Sequence, residues 1–256
     1  MYGSGNDRGN EPMKASEKDE YRRLLKQLEN LKPNGPPESD ELKSLVKLLP
    51  ALRANPIAGE VPQFGRQPGK GRRGELYVRN RLWLLRCMPT DNQGYLFFLS
   101  PEYPVYELPK SRLSIDLLAI FKNHRKRVAY TAIIELKWMS NNPLYALFEV
   151  ARNAVLLDQS KTRVEKSWGN RVETAYPAGM FRRRIFSEIT REHIIGMVVG
   201  PPEWYEKYSG QKRVCINTAR RVGRASKGIR FEFWTFPKGT RCKSAPHQFL
   251  PLTRVW

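Results

Sequence analysis

Residues 113–122 read LSIDLLAIFK and residues 128–139 read VAYTAIIELKWM. Both are apolar runs rich in strand-favouring residues, and the polar segment NHRK at 123–126 separates them, so they read as two strands joined by a turn. Asp116 interrupts the first run, and Glu135 and Lys137 interrupt the second. A charge inside a strand that reads as buried is costly unless it is paired or bound to a metal. Strand side chains alternate, so Glu135 and Lys137 share one face while Ile134, Leu136 and Trp138 share the other. If the two runs pair through the turn, Asp116 reaches the same edge as Glu135.

That combination suits phosphodiester hydrolysis. Two carboxylates offer hard oxygen ligands to Mg²⁺ or Mn²⁺ and leave positions for water and phosphate. Such a metal polarises the phosphoryl oxygen and lowers the pKa of a bound water. A lysine on the same face holds the attacking water or offsets charge that grows on the phosphorane. The opposing view is that Asp116 and Glu135 are strand-edge residues paired with Lys137 or Arg127 for structure alone.

Outward from this pair of strands the pattern alternates. Residues 74–88 predict a helix with Leu76, Leu82, Leu84 and Leu85 apolar and Glu75 in its first turn. An acid there is also favoured by the helix dipole alone. Residues 94–100 (GYLFFLS) predict a strand, with 103–108 extending a hairpin. Residues 143–159 predict a helix, with Asn142 as cap and Pro143 at the first position. Tyr145, Glu149, Arg152 and Gln159 share one face of it, as candidates to support the site or, for Glu149 and Arg152, as a solvated ion pair. A buried strand at 193–199, a short helix at 201–208 and an alternating strand at 229–236 follow. This order predicts an α/β fold with a mixed sheet flanked by helices.

These residues resemble the PD-(D/E)XK, or restriction-endonuclease-like, nuclease superfamily. Its core runs helix, three strands, helix, strand. It carries an acid at the start of the second strand, (D/E)-x-K in the third, and often a Glu on the first helix. Asp116 matches the first acid, Glu135-Leu136-Lys137 the tripeptide, and Glu75 the helical Glu, across about residues 70–236. Ile115 stands where the proline of the name would be. The resemblance implies a restriction-endonuclease-like core and a metal-dependent nuclease, with Asp116 and Glu135 as metal ligands, Glu75 completing or orienting the site and Lys137 assisting the water. The helix after the tripeptide packs near the catalytic centre in that superfamily and often lends it polar residues.

Charge points to the same class of partner. The 256 residues hold 45 Lys and Arg against 25 Asp and Glu, a formal net charge of +20. Residues 1–65 hold ten of each sign, so the excess belongs to the later chain. A charge this large predicts a polyanionic partner: DNA, with RNA possible, or an anionic surface. Candidate phosphate contacts are Arg72 and Arg73 after a Pro/Gly-rich stretch, Arg112 before Asp116, Arg125, Lys126 and Arg127 in the turn, and Arg182, Arg183 and Arg184. Arg213, Arg220, Arg221, Arg224 and Lys227 read as a further loop cluster in a Gly/Ser-containing stretch, while Trp168, Trp204 and Tyr205 would stack on bases or pack in a core.

The sequence predicts a disordered tail at 1–15, a helical hairpin at 16–54, a Pro/Gly-rich basic linker at 55–73 and the nuclease-like domain at 74–256. The hairpin would dock on the main domain or a partner, a second copy included. Cys87, Cys215 and Cys242 are scattered, which predicts no disulfide framework, no zinc site and a reducing location: cytoplasm, nucleoid or nucleus. No signal peptide is read at the N-terminus, no apolar run is long enough to span a bilayer, and no P-loop is present. Two rivals to the nuclease remain. One is a catalytically inactive nucleic-acid-binding protein of the same fold; the other is a subunit whose basic surface meets a protein or membrane.

Overall fold

A computed structural model describes residues 15–31, 39–52, 74–85, 87–91, 94–108, 111–123, 128–159, 193–237 and 251–256. Of the tail expected at 1–15, residues 1–14 lie outside the described residues and Ala15 instead opens a helix; the linker at 55–73 also lies outside them. The two interrupted apolar runs form β3 (Ser111–Asn123) and β4 (Val128–Leu136), which pair antiparallel from Asn123 and Val128 to Leu117 and Ile134. Ahead of them stand β1 (Cys87–Thr90) and β2 (Gly94–Leu108), both antiparallel to their neighbours. After α4 (Pro143–Gln159) the chain adds β5 (Ile194–Gly200) and β6 (Arg230–Thr235), each parallel to the strand before it. Two residues of β7 (Thr253–Arg254) return antiparallel to β6. The seven strands lie in sequence order in one mixed sheet, so the fold is α/β.

Alternation along the strands makes two apolar layers. Ile133, Ile194, Val198 and Phe233 pack with Leu144, Leu147, Phe148 and Ala151 of α4. The same layer takes in Leu24, Leu28, Leu45 and Leu49 from α1 (Ala15–Glu29), α2 (Ser39–Leu48) and the 3-10 turn Leu49–Ala51. On the opposite face, Ala132, Ile134, Leu136, Met197 and Trp234 pack with Leu96, Phe98 and Leu117, and with Val78, Leu82 and Trp83 of α3 (Gly74–Leu85). Polar bonds pin α1 to this frame: Tyr21 Oη donates to the Phe148 carbonyl at 3.3 Å, and Asn142 Nδ2 donates to that of Leu28.

The sheet curls further than an open sheet flanked by helices would. Thr90 bridges Leu252, Asp91 N donates to Leu252 O at 2.7 Å, and Leu252 N donates to Pro89 O at 3.1 Å. The two edges therefore almost meet, giving a nearly barrel-shaped sheet around the second apolar layer. Length and twist produce this. β2 spans 15 residues, with register shifts at Phe98/Ser100 and at Pro104/Tyr106, and such bulges add local bend and twist.

Four local expectations need correction. The helix from Gly74 stops at Leu85, and Cys87–Thr90 is an added strand pairing with β2. Residues 94–100 and 103–108 are one bulged strand rather than two arms of a hairpin. The strand from Val128 stops at Leu136, because Met139 and Asn141 take left-handed backbone angles (φ 67° and 52°) that turn the chain out of the sheet. The arginines at 213–224 are not in a loop. They lie on α6 (Lys212–Ala225), which follows α5 (Pro202–Lys207) and a short 3-10 turn, and buries Cys215, Thr218, Ala219 and Val222 at helical spacing. Trp204 and Tyr205 are core residues.

Leu28 is fully buried at the contact between α1 and α4, whereas Leu84 on α3 is 61% exposed. Leu28→Ala is expected to cost about 2–5 kcal/mol and Leu84→Ala less than about 0.5 kcal/mol. Urea midpoints of the two variants check this; equal midpoints would mean that the N-terminal helices do not pack on the sheet domain.

Candidate active site at the ends of the parallel strands

The register of β3 and β4 carried one step past Leu117 and Ile134 sets Asp116 opposite Glu135. Cross-strand neighbours at that step have side chains on one face. Asp116 Oδ2 accepts a hydrogen bond from Leu136 N at 2.9 Å, which fixes the carboxylate against the end of β4. The next residue continues the parallel pairing, since Lys137 N donates to Val199 O at 2.9 Å. Gly200 lets β5 end close beside it: a Cβ there would lie 2.5 Å from the Trp204 ring and 3.2 Å from Lys137 O. The cluster thus stands at the carboxyl end of β4 and β5, where open parallel sheets place their ligands.

Lys137 is buried, with Nζ 2.8 Å from Glu135 Oε1 and 2.8 Å from Glu149 Oε2 of α4. Tyr145 of the same helix lies beside it, its ring centroid 6.0 Å from Nζ. Asn142 sets the position of α4. Its Oδ1 accepts from Tyr145 N at 3.0 Å and its backbone carbonyl from Ala146 N at 3.1 Å, the cap expected from the sequence. From the other side, Glu75 on α3 receives Trp138 N at 3.2 Å and Ser140 Oγ at 2.7 Å. Trp204 Nε1 donates to Asn141 O at 3.0 Å. The loop after Lys137 is therefore tied to α3 and to α5.

Burial dominates the electrostatics. It pushes Asp116 up from 3.8 to about 6, against the Leu136 N–H and the Lys137 charge, which favour the anion; Glu75 adds to the rise and Arg79 opposes it. Burial also lifts Glu135 well above the usual carboxylate range, with Asp116 and Glu149 adding to the rise and Lys137 opposing it. For Lys137, burial alone would disfavour the ammonium, but Glu135, Glu149 and Glu75 outweigh it and hold the group above its ordinary value. Tyr145 is pushed up to about 12 by burial and then by Glu149, so its hydroxyl stays a donor at neutral pH.

Of the residues singled out in the sequence, Glu75, Asp116, Glu135, Lys137, Tyr145 and Glu149 come together here. Arg152 lies close enough to Tyr21 and Tyr145 to favour their anions. Gln159 is elsewhere: its Nε2 donates to Leu52 O at 2.7 Å and fastens the 3-10 turn after α2. Arg112 falls in β3, where only the backbone is described. Arg72, Arg73, Arg125, Lys126, Arg127, Arg182, Arg183 and Arg184 lie outside the described residues, as does Trp168. Arg79, which the sequence marks only as one of the basic residues around the core, belongs to the cluster: its guanidinium lies 3.5 Å from Asp116 Oδ1 and 2.7 Å from Glu102 Oε1. Its signal was its position one turn after Glu75 on the same face of α3.

A carboxylate whose folded pKa is raised holds more protons folded than unfolded, so its cost to stability appears as pH rises from its unfolded to its folded pKa. Asp116 therefore destabilises the chain above about pH 6 and much less at pH 4. Asp116→Asn is expected to raise stability at pH 7, in EDTA, by on the order of 2–3 kcal/mol, with the gain vanishing toward pH 4. Urea unfolding of both proteins at several pH values checks it; a gain that grows as pH falls would contradict it.

No family model, curated protein or solved structure matches this chain, so what these residues do rests on their own chemistry.

Proposed function

We propose that the chain is a Mg²⁺-dependent phosphodiesterase acting on nucleic acid, a DNA endonuclease of the PD-(D/E)XK type. The observation that carries the reading is the meeting of Asp116, Glu135 and Lys137 at one end of the sheet, with Glu75 and Glu149 around them. The order of elements supports it: α3, then antiparallel β2, β3 and β4, then α4, then β5 parallel to β4, in the sequence the resemblance implies for a restriction-endonuclease-like core. The net charge of +20 supplies attraction for the polyanion. Restriction, phage defence, recombination and repair all use such chemistry.

The donor set fits a hard divalent cation. Glu135 is buried and Asp116 is half-buried beside it, and the charge of Asp116 disfavours that of Glu135, a repulsion that bound positive charge relieves. Among the described residues, no group of three or more His, Cys, Asp or Glu is arranged to hold a metal. Mg²⁺ is commonly held by one or two carboxylates, with waters and substrate phosphate completing its shell. When bound, the metal would supply Lewis-acid activation of the phosphoryl group and of a water. The chain's own residues do the rest. Asp116 and Glu135 would hold the cation, and Glu75 keeps the loop after β4 in place. Lys137 would direct a water toward the phosphorus and offset charge growing on the phosphoryl oxygens. Glu149 and Tyr145 fix the direction of the Lys137 ammonium.

One observation favours a second reading. Lys137 already neutralises Glu135 and Glu149, as a purely structural ion cluster would. In that case the protein binds nucleic acid, DNA or RNA, without cutting it.

Purified protein incubated with plasmid, linear, single-stranded and branched DNA separates the two. Mg²⁺ or Mn²⁺ is expected to support cleavage, EDTA to abolish it, and Ca²⁺ to bind without supporting it, because its looser and larger ligand shell positions water poorly. Glu135→Gln and Asp116→Asn are each expected to lower the rate at least ~10²-fold. No cleavage under any of these conditions, or cleavage undiminished in EDTA, would overturn the reading.

A second measurement needs no cleavage. Mg²⁺ is expected to raise the melting temperature of the wild type at pH 7 and to leave that of the doubly substituted Asp116→Asn, Glu135→Gln protein unchanged. An equal rise in both would place the metal elsewhere.

A further inference from the structure

The sequence of α6, KRVCINTARRVGRA, contains five cationic side chains and no acid. Its buried residues Cys215, Thr218, Ala219 and Val222 take up the inward face. Arg213, Asn217, Arg220, Arg224 and, just past the helix, Lys227 then fall at alternating steps of four and three on the outward face, and all are exposed. Among the described residues none of these four cations makes an ion pair, whereas Arg79, Arg230 and Arg254 all do. A cationic stripe without ion pairs among the described residues is unfavourable by itself and is relieved by a bound polyanion.

The stripe ends in a shaped feature. Between α6 and the edge of β6 lies an open notch of about 510 Å³, lined by Arg220, Arg224, Gly228, Arg230, Glu232 and Arg254 among others. Glu232 is 3% exposed and orders two of the arginines, its Oε1 lying 2.5 Å from Arg230 Nη2 and 3.4 Å from Arg254 Nη1, while its Oε2 accepts from Trp234 Nε1 at 3.1 Å. The Arg230 guanidinium also lies 5.7 Å from the centre of the Tyr130 ring. Four guanidinium groups surround one carboxylate, which leaves the notch with three net positive charges. Guanidinium forks held in fixed directions match phosphate oxygens better than mobile lysines do.

We propose that the outward face of α6 and the arginine notch at the edge of β6 form one track for the phosphodiester backbone of a nucleic-acid duplex, separate from the candidate active site. α6 begins just after α5, whose Trp204 is bonded to the loop following Lys137, and it runs back to the start of β6, at the far end of the parallel strands. The track therefore leads from the catalytic end of the sheet to the opposite end. From Arg213 to Arg224 it covers about 17 Å of helix, enough to face several phosphates. An anionic membrane fits less well, because membrane-surface helices pair their cationic face with exposed large apolar residues. The exposed large apolar residues among those described are Leu76, Leu84, Tyr95 and Met139, none of them on α6.

The test is the salt dependence of affinity for a fluorescent DNA duplex, measured in EDTA with the full chain. The joint replacement of Arg213, Arg220 and Arg224 by Ala is expected to flatten the log–log slope by up to about 2.7, at roughly 0.9 per lost phosphate contact. The same three positions changed to Lys are expected to restore the slope, since the charge remains. Arg254→Gln, in the notch, is expected to flatten it by about 0.9 and serves if the triple variant does not fold by circular dichroism. Unchanged slopes in the variants that fold, absence of duplex binding by the wild type, or equally tight binding to phosphatidylserine vesicles would each overturn the proposal. Because cleavage is not read, a protein that fails to cut DNA but loses slope in these variants overturns the hydrolytic reading alone. A protein that cuts DNA with unchanged slopes overturns this inference alone.

Discussion

A lysine ammonium buried between two carboxylates is the constraint around which this end of the molecule is arranged. Taking those charges out of water costs several kcal/mol per ion, and the cost is met only if their geometry is held from several sides. β4 holds Glu135, α4 holds Glu149, and the parallel pairing with β5 fixes the Lys137 backbone. α4 can be so placed because Asn142 caps it and reaches α1 with its amide. The loop between β4 and α4, with two non-glycine residues at positive φ, is tied down through Glu75, Ser140 and Trp204. Helices far apart in the chain thereby contribute to holding one ammonium in place.

The parts of this arrangement that were legible in the sequence were those that broke a local rule. Asp116, Glu135 and Lys137 stood out because charges interrupt strands that are otherwise apolar. Glu149 and Tyr145 were visible as one face of a long helix. Gln159 shared that face and still missed the cluster: ten residues beyond Glu149 is about 15 Å along a helix, and Gln159 meets the end of the N-terminal helices instead. α6 was hidden because its inward face is built from Cys, Thr, Ala and Val, a weak apolar signal among many arginines. β1 was hidden because four residues that include a proline do not read as a strand. The curling of the sheet depends on Thr90 meeting Leu252, a contact no local pattern encodes.

The environment of the acids separates stability from use. A structural ion cluster normally leaves each carboxylate with a counter-charge of its own. Here Asp116 raises Glu135 and Glu75 raises Asp116, and the nearest cations are shared with Glu102 and Glu149. Sites that tolerate such strain are commonly those where a ligand relieves it. On α6, likewise, the exposed Arg213, Arg220 and Arg224 stand without ion pairs among the described residues.

The near-meeting of the sheet edges bears on how the protein behaves at high concentration. An exposed strand edge is a row of unpaired amide and carbonyl groups that invites another chain to add to it and so seeds aggregation. In this sheet β1 is only four residues long, and its outer side is met by Leu252, which bonds to Pro89 and Asp91. The other edge strand is two residues long and ends in the cationic Arg254. Short, covered and charged borders are the devices by which β-proteins resist sticking edge to edge. At high protein concentration, β1 and β7 therefore offer few unpaired amide and carbonyl groups through which one copy could extend the sheet of another.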